Sequence, residues 1–344
     1  TVLLAGLVCG GPSPAASEAA PAVPWTSFRF EAEGLGSRVT VEVRVDPDVL
    51  VQPIRAMKTL LSGSRPEEMA APGYIIRRDR FDQGLAASAE QAGARLLLST
   101  AAVERRDAHT IILKHRTGRR LRVRAEVVIG ADGPRSTVAG WTGAGRPSLI
   151  PAVQARVALA QPMDATEVFL DPAFRAGYGW LFPRGGEANA GVGFRPLPGV
   201  TPSPGRLLRL FLERLEADGK ITGAALGRQA GWLPVEPLRS TVHGNILLAG
   251  DAAGHTHPIT GAGIFSAVAC GRMAGRWAAR AARERDLSLL QRYEDEWRDL
   301  FGETLDRAVR RRRFMESNWG RFDGIIRSCW IAYREYYSGK PGEV

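Results

Sequence analysis

The stretch Asn245–Gly263, NILLAGDAAGHTHPITGAG, decides the reading of this chain. After its first residue, Asn245 to Ala249 is apolar and suits a buried strand, and it delivers Gly250 and Asp251 at its carboxyl end. In α/β sheets ligands bind outside the carboxyl ends of strands, where a carboxylate can accept hydrogen bonds from a polyol chain. Pro258-Ile-Thr-Gly-Ala-Gly263 follows and leads into a small-residue helix expected over Gly261–Ala282. Gly261 and Gly263 let backbone N–H groups approach a ligand closely. The helix N-terminus favours partial negative charge, as on a pyrophosphate or an electron-rich ring. Gly250, Asp251, Pro258, Gly261, Ala262 and Gly263 are therefore candidate cofactor contacts. The bland alternative is a plain strand–loop–helix turn.

Two further segments point the same way. In Val127–Val138, VVIGADGPRSTV, an apolar strand runs into Gly130-Ala-Asp-Gly133. Asp132 and Gly133 sit where the chain turns against a nucleotide, or else form a tight turn capped by Asp and Ser. Farther on stands Tyr178-Gly-Trp-Leu-Phe-Pro183, then seven residues, then Gly191-Val-Gly193. Strand alternation puts Tyr178, Trp180 and Phe182 on one face. Such an aromatic wall suits a long apolar substrate carrying double bonds. The competing reading is an aromatic stripe in an ordinary core.

Together these segments resemble the FAD-dependent aromatic hydroxylase superfamily, the p-hydroxybenzoate hydroxylase-like flavoproteins. Val127–Val138 is similar to their DG motif and Asn245–Gly263 to their GD motif, in the expected order. Arg77-Arg-Asp-Arg-Phe-Asp82, with Arg78 as a cofactor contact, resembles the segment that precedes the DG motif. The Tyr178 segment with Gly191 and Gly193 is similar to the YxWxFP…GxG motif of the geranylgeranyl reductases. Val8-Cys-Gly-Gly11 resembles that family's CGG segment beside the flavin, which makes Cys9, Gly10 and Gly11 cofactor contacts and Cys9 a catalytic candidate.

The resemblance implies FAD as cofactor and hydride delivery from reduced flavin to an isolated alkene of an isoprenoid or prenyl-lipid chain. NADPH or a ferredoxin-like protein would be the external reductant. Asp251 would hold the ribityl chain, and Gly261 and Gly263 would face the flavin ring. Asp132 would shape the pyrophosphate site. Tyr178, Trp180, Phe182 and Pro183, with Gly191 and Gly193, would line the substrate tunnel. His255 and His257, beside the flavin loop, are the candidate proton donors, because histidine titrates in a useful range. A flavin monooxygenase of an aromatic or polyketide ring shares the DG and GD motifs and is the second reading. A truncated, non-catalytic relative is the third.

The expected fold class is α/β (α+β). A Rossmann-like FAD-binding domain lacking its first βα element is joined by an antiparallel-sheet substrate domain and C-terminal helices. The expected division is a partial FAD-binding domain over 1–20, a substrate-facing insert over 21–75, FAD-binding domain over 76–150, substrate domain over 151–240, the GD part over 241–285 and C-terminal helices over 286–344. Strands are expected at Phe28–Phe30 and Val39–Val45, a helix over Phe81–Gln91, and a meander over Leu96–Leu98, Thr110–Leu113 and Leu121–Val123. Four strands without helices between them follow from Ala152 to Phe194, then a helix over Leu207–Leu215. An amphipathic helix pair is expected over Leu287–Arg313. No G-x-G-x-x-G opens the chain, and Thr1–Leu4 reads as the second strand of that βαβ unit, which spans about 30 residues. An open edge on the neighbouring strand and weak FAD binding by these residues are the expected consequences.

Composition narrows the remaining classes. Hydrophobic residues make up 44% and charged residues 24% of 344, enough for a sizeable core without disulfide staples. Cys9, Cys270 and Cys329 are too few and scattered for a disulfide framework or a zinc site, so no metal is expected, and a reducing, cytoplasmic setting is. The net charge of +10 is spread over the chain, with one dense run at Arg310–Arg313. That run reads as a solvated helix face that could dock on an anionic membrane surface. No motif interleaves aromatics with these charges, which argues against nucleic acid. No apolar run reaches the roughly 18 residues of a membrane span, and Thr1–Cys9 lacks the basic start of a signal segment. Nothing in the pattern fixes the oligomeric state, and a monomer is the simplest expectation.

Overall fold

The computed structural model describes residues 2–5, 26–33, 38–197, 199 and 202–338, with side chains from Asp46 onward. Its elements in chain order begin β1 (Val2–Ala5), β2 (Thr26–Glu33), β3 (Arg38–Val45), β4 (Leu50–Leu61), β5 (Glu67–Ile76) and α1 (Arg78–Gln91). Then come β6 (Thr100–Arg105), β7 (Thr110–His115), β8 (Arg120–Arg124), β9 (Val127–Gly130), α2 (Thr137–Thr142), β10 (Leu149–Leu159), β11 (Ala165–Leu170), β12 (Tyr178–Arg184) and β13 (Glu187–Gly193). The rest are α3 (Pro204–Ala217), β14 (Ile221–Pro234), β15 (Val242–His243), β16 (Ile246–Leu248), α4 (Ile264–Glu284), α5 (Gln291–Trp297), α6 (Glu303–Ser317) and α7 (Phe322–Cys329).

One sheet runs β1-β9-β16-β15, with β1, β9 and β16 parallel. Strands β9 and β16 are apolar and buried on both sides, as a covered parallel sheet requires. Val127, Ile129, Leu247 and Ala249 pack on Phe81 of α1 and on Ala269, Cys270 and Met273 of α4. Val128, Ile246 and Leu248 pack on Ile111 and Leu113 of β7 and on Val138 and Ala139 of α2. Fully burying each Val, Ile or Leu contributes about 1.5–3 kcal/mol, so two close-packed layers hold the strand ends that carry Asp132 and Asp251. The edge of β9 expected to lie open is covered by β1, in the register Val2 to Val127 through Ala5 to Gly130.

The larger sheet has the order β14-β10-β13-β12-β11-β4-β5, antiparallel except for β11 beside β4. One face buries Val153, Ala155, Leu181 and Val192 against Leu207, Leu208 and Phe211 of α3. The opposite face packs on the C-terminal helical segment, through Ile325, Ile326, Trp330 and Tyr333. The expected four-strand run is present. Strands β4, β5 and β14 were not expected, and they complete the sheet. Most of β5 and β14 is exposed, so neither shows the apolar alternation that marks a half-buried strand.

Three expectations need correction. The meander starts at Thr100, not Leu96, because Leu98-Ser99 forms a turn with Ser99 at φ 52°. The helix pair expected over Leu287–Arg313 is broken by a π turn over Arg298–Gly302 between α5 and α6, and α7 follows. The arginine run is not one solvated face. Arg311 and Arg312 are each only 3% exposed, while Arg310 and Arg313 are exposed, because a helix turns successive residues through about 100°. Among the described residues no helix is long and apolar enough to cross a membrane.

Candidate active site

The two aspartate loops leave adjacent strands. Leu248 pairs with Gly130, and the Ala249 N–H donates to the Gly130 carbonyl at 2.9 Å. On the β16 side, Gly250 opens a short 3-10 turn that carries Asp251. Thr256 Oγ1 donates to Asp251 Oδ1 at 2.5 Å. Among the described residues Oδ2 of this half-buried carboxylate accepts nothing, so it is free to receive donors from a ligand. The loop closes on itself: the His257 N–H donates to the Ala262 carbonyl at 2.8 Å, and the Gly261 N–H to the His257 carbonyl at 2.9 Å. Gly261 adopts φ 69°, a left-handed conformation that a side chain would strain. Gly263 is the N-cap of the 21-residue α4 and supplies no capping side chain. The first amides of α4 are therefore left without a capping side chain; the adjoining Ala262 is exposed and Pro258 is buried.

Asp132 differs. Its Oδ1 accepts from Ser136 Oγ at 2.5 Å, and its Oδ2 from the N–H groups of Thr137 at 2.7 Å and Val138 at 3.2 Å. Ser136 Oγ in turn accepts from the Ala139 N–H at 2.8 Å. The carboxylate caps α2, and Gly133 turns at φ 82° between them. Arg135, next along, stacks over the Trp232 ring at 4.6 Å and ties this loop to β14.

Strand β12 presents its aromatics as the alternation requires. Tyr178, Trp180 and Phe182 are half-buried on one face, and Gly179 and Leu181 are buried on the other. Pro183 takes the Leu181 side and is not part of the aromatic wall, which corrects its assignment. Neighbouring aromatic centroids lie 5.9 Å (Tyr178–Trp180) and 6.3 Å (Trp180–Phe182) apart. Gly191 and Gly193 stand opposite Trp180 and Tyr178 on β13. A Cβ on Gly191 would lie 2.2 Å from the Trp180 ring, so glycine there leaves the room the indole occupies. Trp180 Nε1 donates to Gln154 at 3.3 Å, and Gln154 to Gln229 at 2.9 Å, a polar row across the sheet that sequence reasoning missed.

The aromatic strand touches the aspartate loop. The Tyr178 hydroxyl donates to the Thr260 carbonyl, and burial pushes this phenol well above its usual range. Tyr178, Trp180, His257, Gly261 and Arg312 border a narrow cavity of about 20 Å³, room for a water molecule or so. Trp330, from beyond α7, packs on Tyr178 with centroids 5.1 Å apart. Arg312 of α6 reaches the same place and donates to the Pro258 carbonyl at 2.9 Å and to the Ala176 carbonyl at 3.0 Å. Burial lowers it to about 10, so it stays charged at neutral pH. Trp330 and Arg312 were missed because they lie in the C-terminal segment, far from any motif.

The histidines do not behave as proton donors titrating near neutrality. His255 is 1% exposed against Trp297, centroids 4.6 Å apart, and neither ring nitrogen has a hydrogen-bond partner among the described residues. Burial, aided by Arg298 and opposed by Glu294, lowers it to about 3. His257 is lowered to about 4 by burial, and its Nδ1 accepts from the Ile259 and Thr260 N–H groups at 3.3 and 3.2 Å. Both rings are neutral at physiological pH; His257 organises the loop and His255 fills the core. Arg78 is exposed at the start of α1 and pairs with Asp82 at 3.3 Å. Cys9, Gly10 and Gly11 lie outside the described residues.

The residues present fit the flavin-ring side of FAD: an open carboxylate oxygen, a left-handed glycine turn and uncapped helix amides converge on one loop. Comparisons with known proteins also point to FAD as the cofactor. A family model described as an FAD binding domain matches residues 55–167. The chain is 35% identical over 296 residues to digeranylgeranylglycerophospholipid reductase 1 of Methanopyrus kandleri, covering 80% of this chain and 78% of the relative. Reductase 2 of the same organism is 33% identical over 300 residues, covering 81% and 75%. The solved structure of a geranylgeranyl bacteriochlorophyll reductase-like protein from Thermoplasma acidophilum superposes with a TM-score of 0.72 at 25% identity, covering 84% of this chain and 78% of that one.

Proposed function

This chain belongs to the geranylgeranyl reductase family, and on that premise we propose that it saturates carbon–carbon double bonds of a geranylgeranyl or related isoprenoid lipid, with FAD as its flavin. The observation that carries this reading is the contact of the Tyr178 hydroxyl with the Thr260 carbonyl, which joins the aromatic face of β12 to the loop of Asp251. A flavin ring on that loop and an alkene on that face would be neighbours. Bound and reduced FAD would supply the hydride to one alkene carbon, and a water molecule would supply the proton to the other. Asp251 Oδ2 would accept from the ribityl hydroxyls, and the backbone of the Gly261–Gly263 turn would lie against the ring. Asp132, occupied by its own loop, would shape the pyrophosphate end without touching it. Tyr178, Trp180 and Phe182 would orient the chain and exclude water. Cys9 of the Cys-Gly-Gly segment would meet the ring or the alkene. Arg78 and its helix would border the nucleotide end.

In this reading the parallel sheet is the flavin layer and the seven-stranded sheet the substrate layer. NADPH or a ferredoxin-like protein would deliver the electrons. The full-length protein loaded with FAD should be incubated with a geranylgeranylated glycerophospholipid and a chemical reductant, and its product followed by mass spectrometry. Two hydrogens gained per double bond is the expected result. Oxygen incorporation coupled to substrate would overturn it in favour of a monooxygenase. Cys9→Ala should lower turnover while FAD stays bound; unchanged turnover would remove Cys9 from the site.

A further inference from the structure

We propose that Arg312 is a positioning residue that sets the spacing between the Asp251 loop and the aromatic strand, and so fixes where an alkene can lie against a flavin. The role rests on the reading of those two segments as cofactor loop and substrate wall. Arg312 is 3% exposed and is carried by α6, outside every motif. Its guanidinium holds three partners from three parts of the chain: the Pro258 carbonyl at 2.9 Å, the Ala176 carbonyl at 3.0 Å and Glu316 Oε1 at 2.8 Å.

Pro258 opens the Pro258–Gly263 turn, and Ala176 lies two residues before Tyr178. Ala176 adopts φ 48°, an unfavourable left-handed conformation for a residue with a side chain, and the Arg312 bond is one contact that holds it. Glu316 Oε1 also accepts from Arg195 at 3.1 Å, and the Arg175 guanidinium donates to the Glu316 carbonyl at 3.1 Å. The clamp is thus anchored to the chain on both sides of β12 and β13. Only a planar fork with several fixed donors can hold two carbonyls and a carboxylate at once; a lysine ammonium cannot reproduce that geometry.

The test uses Arg312→Lys in the full-length protein, with Arg313→Ala, an exposed neighbour paired to Glu236, as control. Hydrogen–deuterium exchange without FAD should rise about tenfold in the peptides covering 176–182 and 257–263 together and stay near the parent value in β9 and β16. With FAD bound, affinity should stay within about threefold while kcat falls roughly tenfold to a hundredfold, the cost of a small misplacement of reacting atoms. The control should match the parent in both measurements. Unchanged exchange in either segment, or a uniform rise over the whole molecule, would overturn the proposal. If Arg312→Lys does not fold, Glu316→Gln takes its place, and the same two-segment signature is expected on a smaller scale; its absence also overturns the clamp. A parent without reductase activity would count against the assigned reaction, while the exchange measurement still decides the clamp.

Discussion

Asp132 and Asp251 end neighbouring parallel strands in the same local pattern, an apolar run followed by a Gly-containing turn and an aspartate. Their carboxylates nevertheless do different work. Asp132 accepts one hydroxyl and two amides from its own loop, so its oxygens are occupied before any ligand arrives. Asp251 accepts a single hydroxyl from Thr256 and keeps Oδ2 open. The difference follows from what comes next in the chain. After Asp132 a helix begins within five residues and offers its unsatisfied amides. After Asp251 the helix is delayed to Ile264, and the intervening loop satisfies itself through His257 and Ala262. Under the proposed function, the first strand end is a support and the second a receptor.

The largest expected effect lies behind the receptor loop. His255 is buried against Trp297 with both ring nitrogens unpartnered among the described residues, and its folded value of about 3 lies below the ordinary 6.5. The unfolded chain therefore takes up a proton that the folded chain refuses. Stability from this group is complete above about pH 6.5 and falls as pH drops toward 3, by on the order of 4 kcal/mol over the whole window. His257, lowered to about 4, adds to the same limb. His255→Phe keeps a ring packed against Trp297 and removes the proton. Urea midpoints measured from pH 7 to 4 should fall less steeply in the variant, with the two proteins similar at pH 7. Parallel curves would mean that His255 is solvated or hydrogen-bonded in solution.

Next in size is a crossed pair of substitutions that breaks the comparison if the two aspartates are interchangeable. Asp132→Ala removes a cap and leaves a serine hydroxyl and two amides without their acceptor. It should cost about 2 kcal/mol of stability, read as a shift in urea midpoint, with FAD affinity little changed in the protein that stays folded. Asp251→Asn should show the reverse: a near-parent midpoint, and FAD binding weakened roughly tenfold to a hundredfold as a charge-assisted bond is lost. FAD fluorescence titration alongside the denaturation curves measures both. A large loss of affinity in Asp132→Ala with unchanged stability would place that carboxylate on the ligand instead.

How much of this was legible in the sequence depends on where each interaction lies along the chain. The parallel strands and both aspartates were, because an apolar run ending in Gly and Asp is a local signal with a local cause. The aromatic face of β12 was legible from alternation alone. Pro183 shares the motif with the aromatics, but the period-two rule puts it with Leu181 on the other face. Strands β5 and β14 were invisible because an exposed edge strand needs no apolar alternation. Arg312 and Trp330 were invisible for a different reason. Their partners stand 54 residues away at Pro258 and 271 residues away at Thr59, and no spacing rule connects them. The histidines misled because adjacency to a loop in sequence says nothing of burial, and burial sets the protonation of His255.

The smallest predicted effect tests whether the receptor loop and the aromatic wall act as one unit. The Tyr178 hydroxyl is the one side-chain donor to the Thr260 carbonyl among the described residues. Tyr178→Phe keeps the ring, its packing on Trp330 and the apolar face, and removes only that bond. A single neutral hydrogen bond contributes about 1 kcal/mol net. The folded protein should lose about that much or less in a urea titration, and kcat for the isoprenoid lipid should fall a few-fold while FAD affinity holds. If kcat is unchanged with the bond gone, the aromatic wall keeps its place through Arg312 and Trp330 alone, and the contact between hydroxyl and carbonyl is a consequence of that placement. If kcat falls by roughly a hundredfold, the cost of misplaced reacting atoms, the hydroxyl does more than brace the loop, and the support role would then belong to neither strand end but to β12 itself.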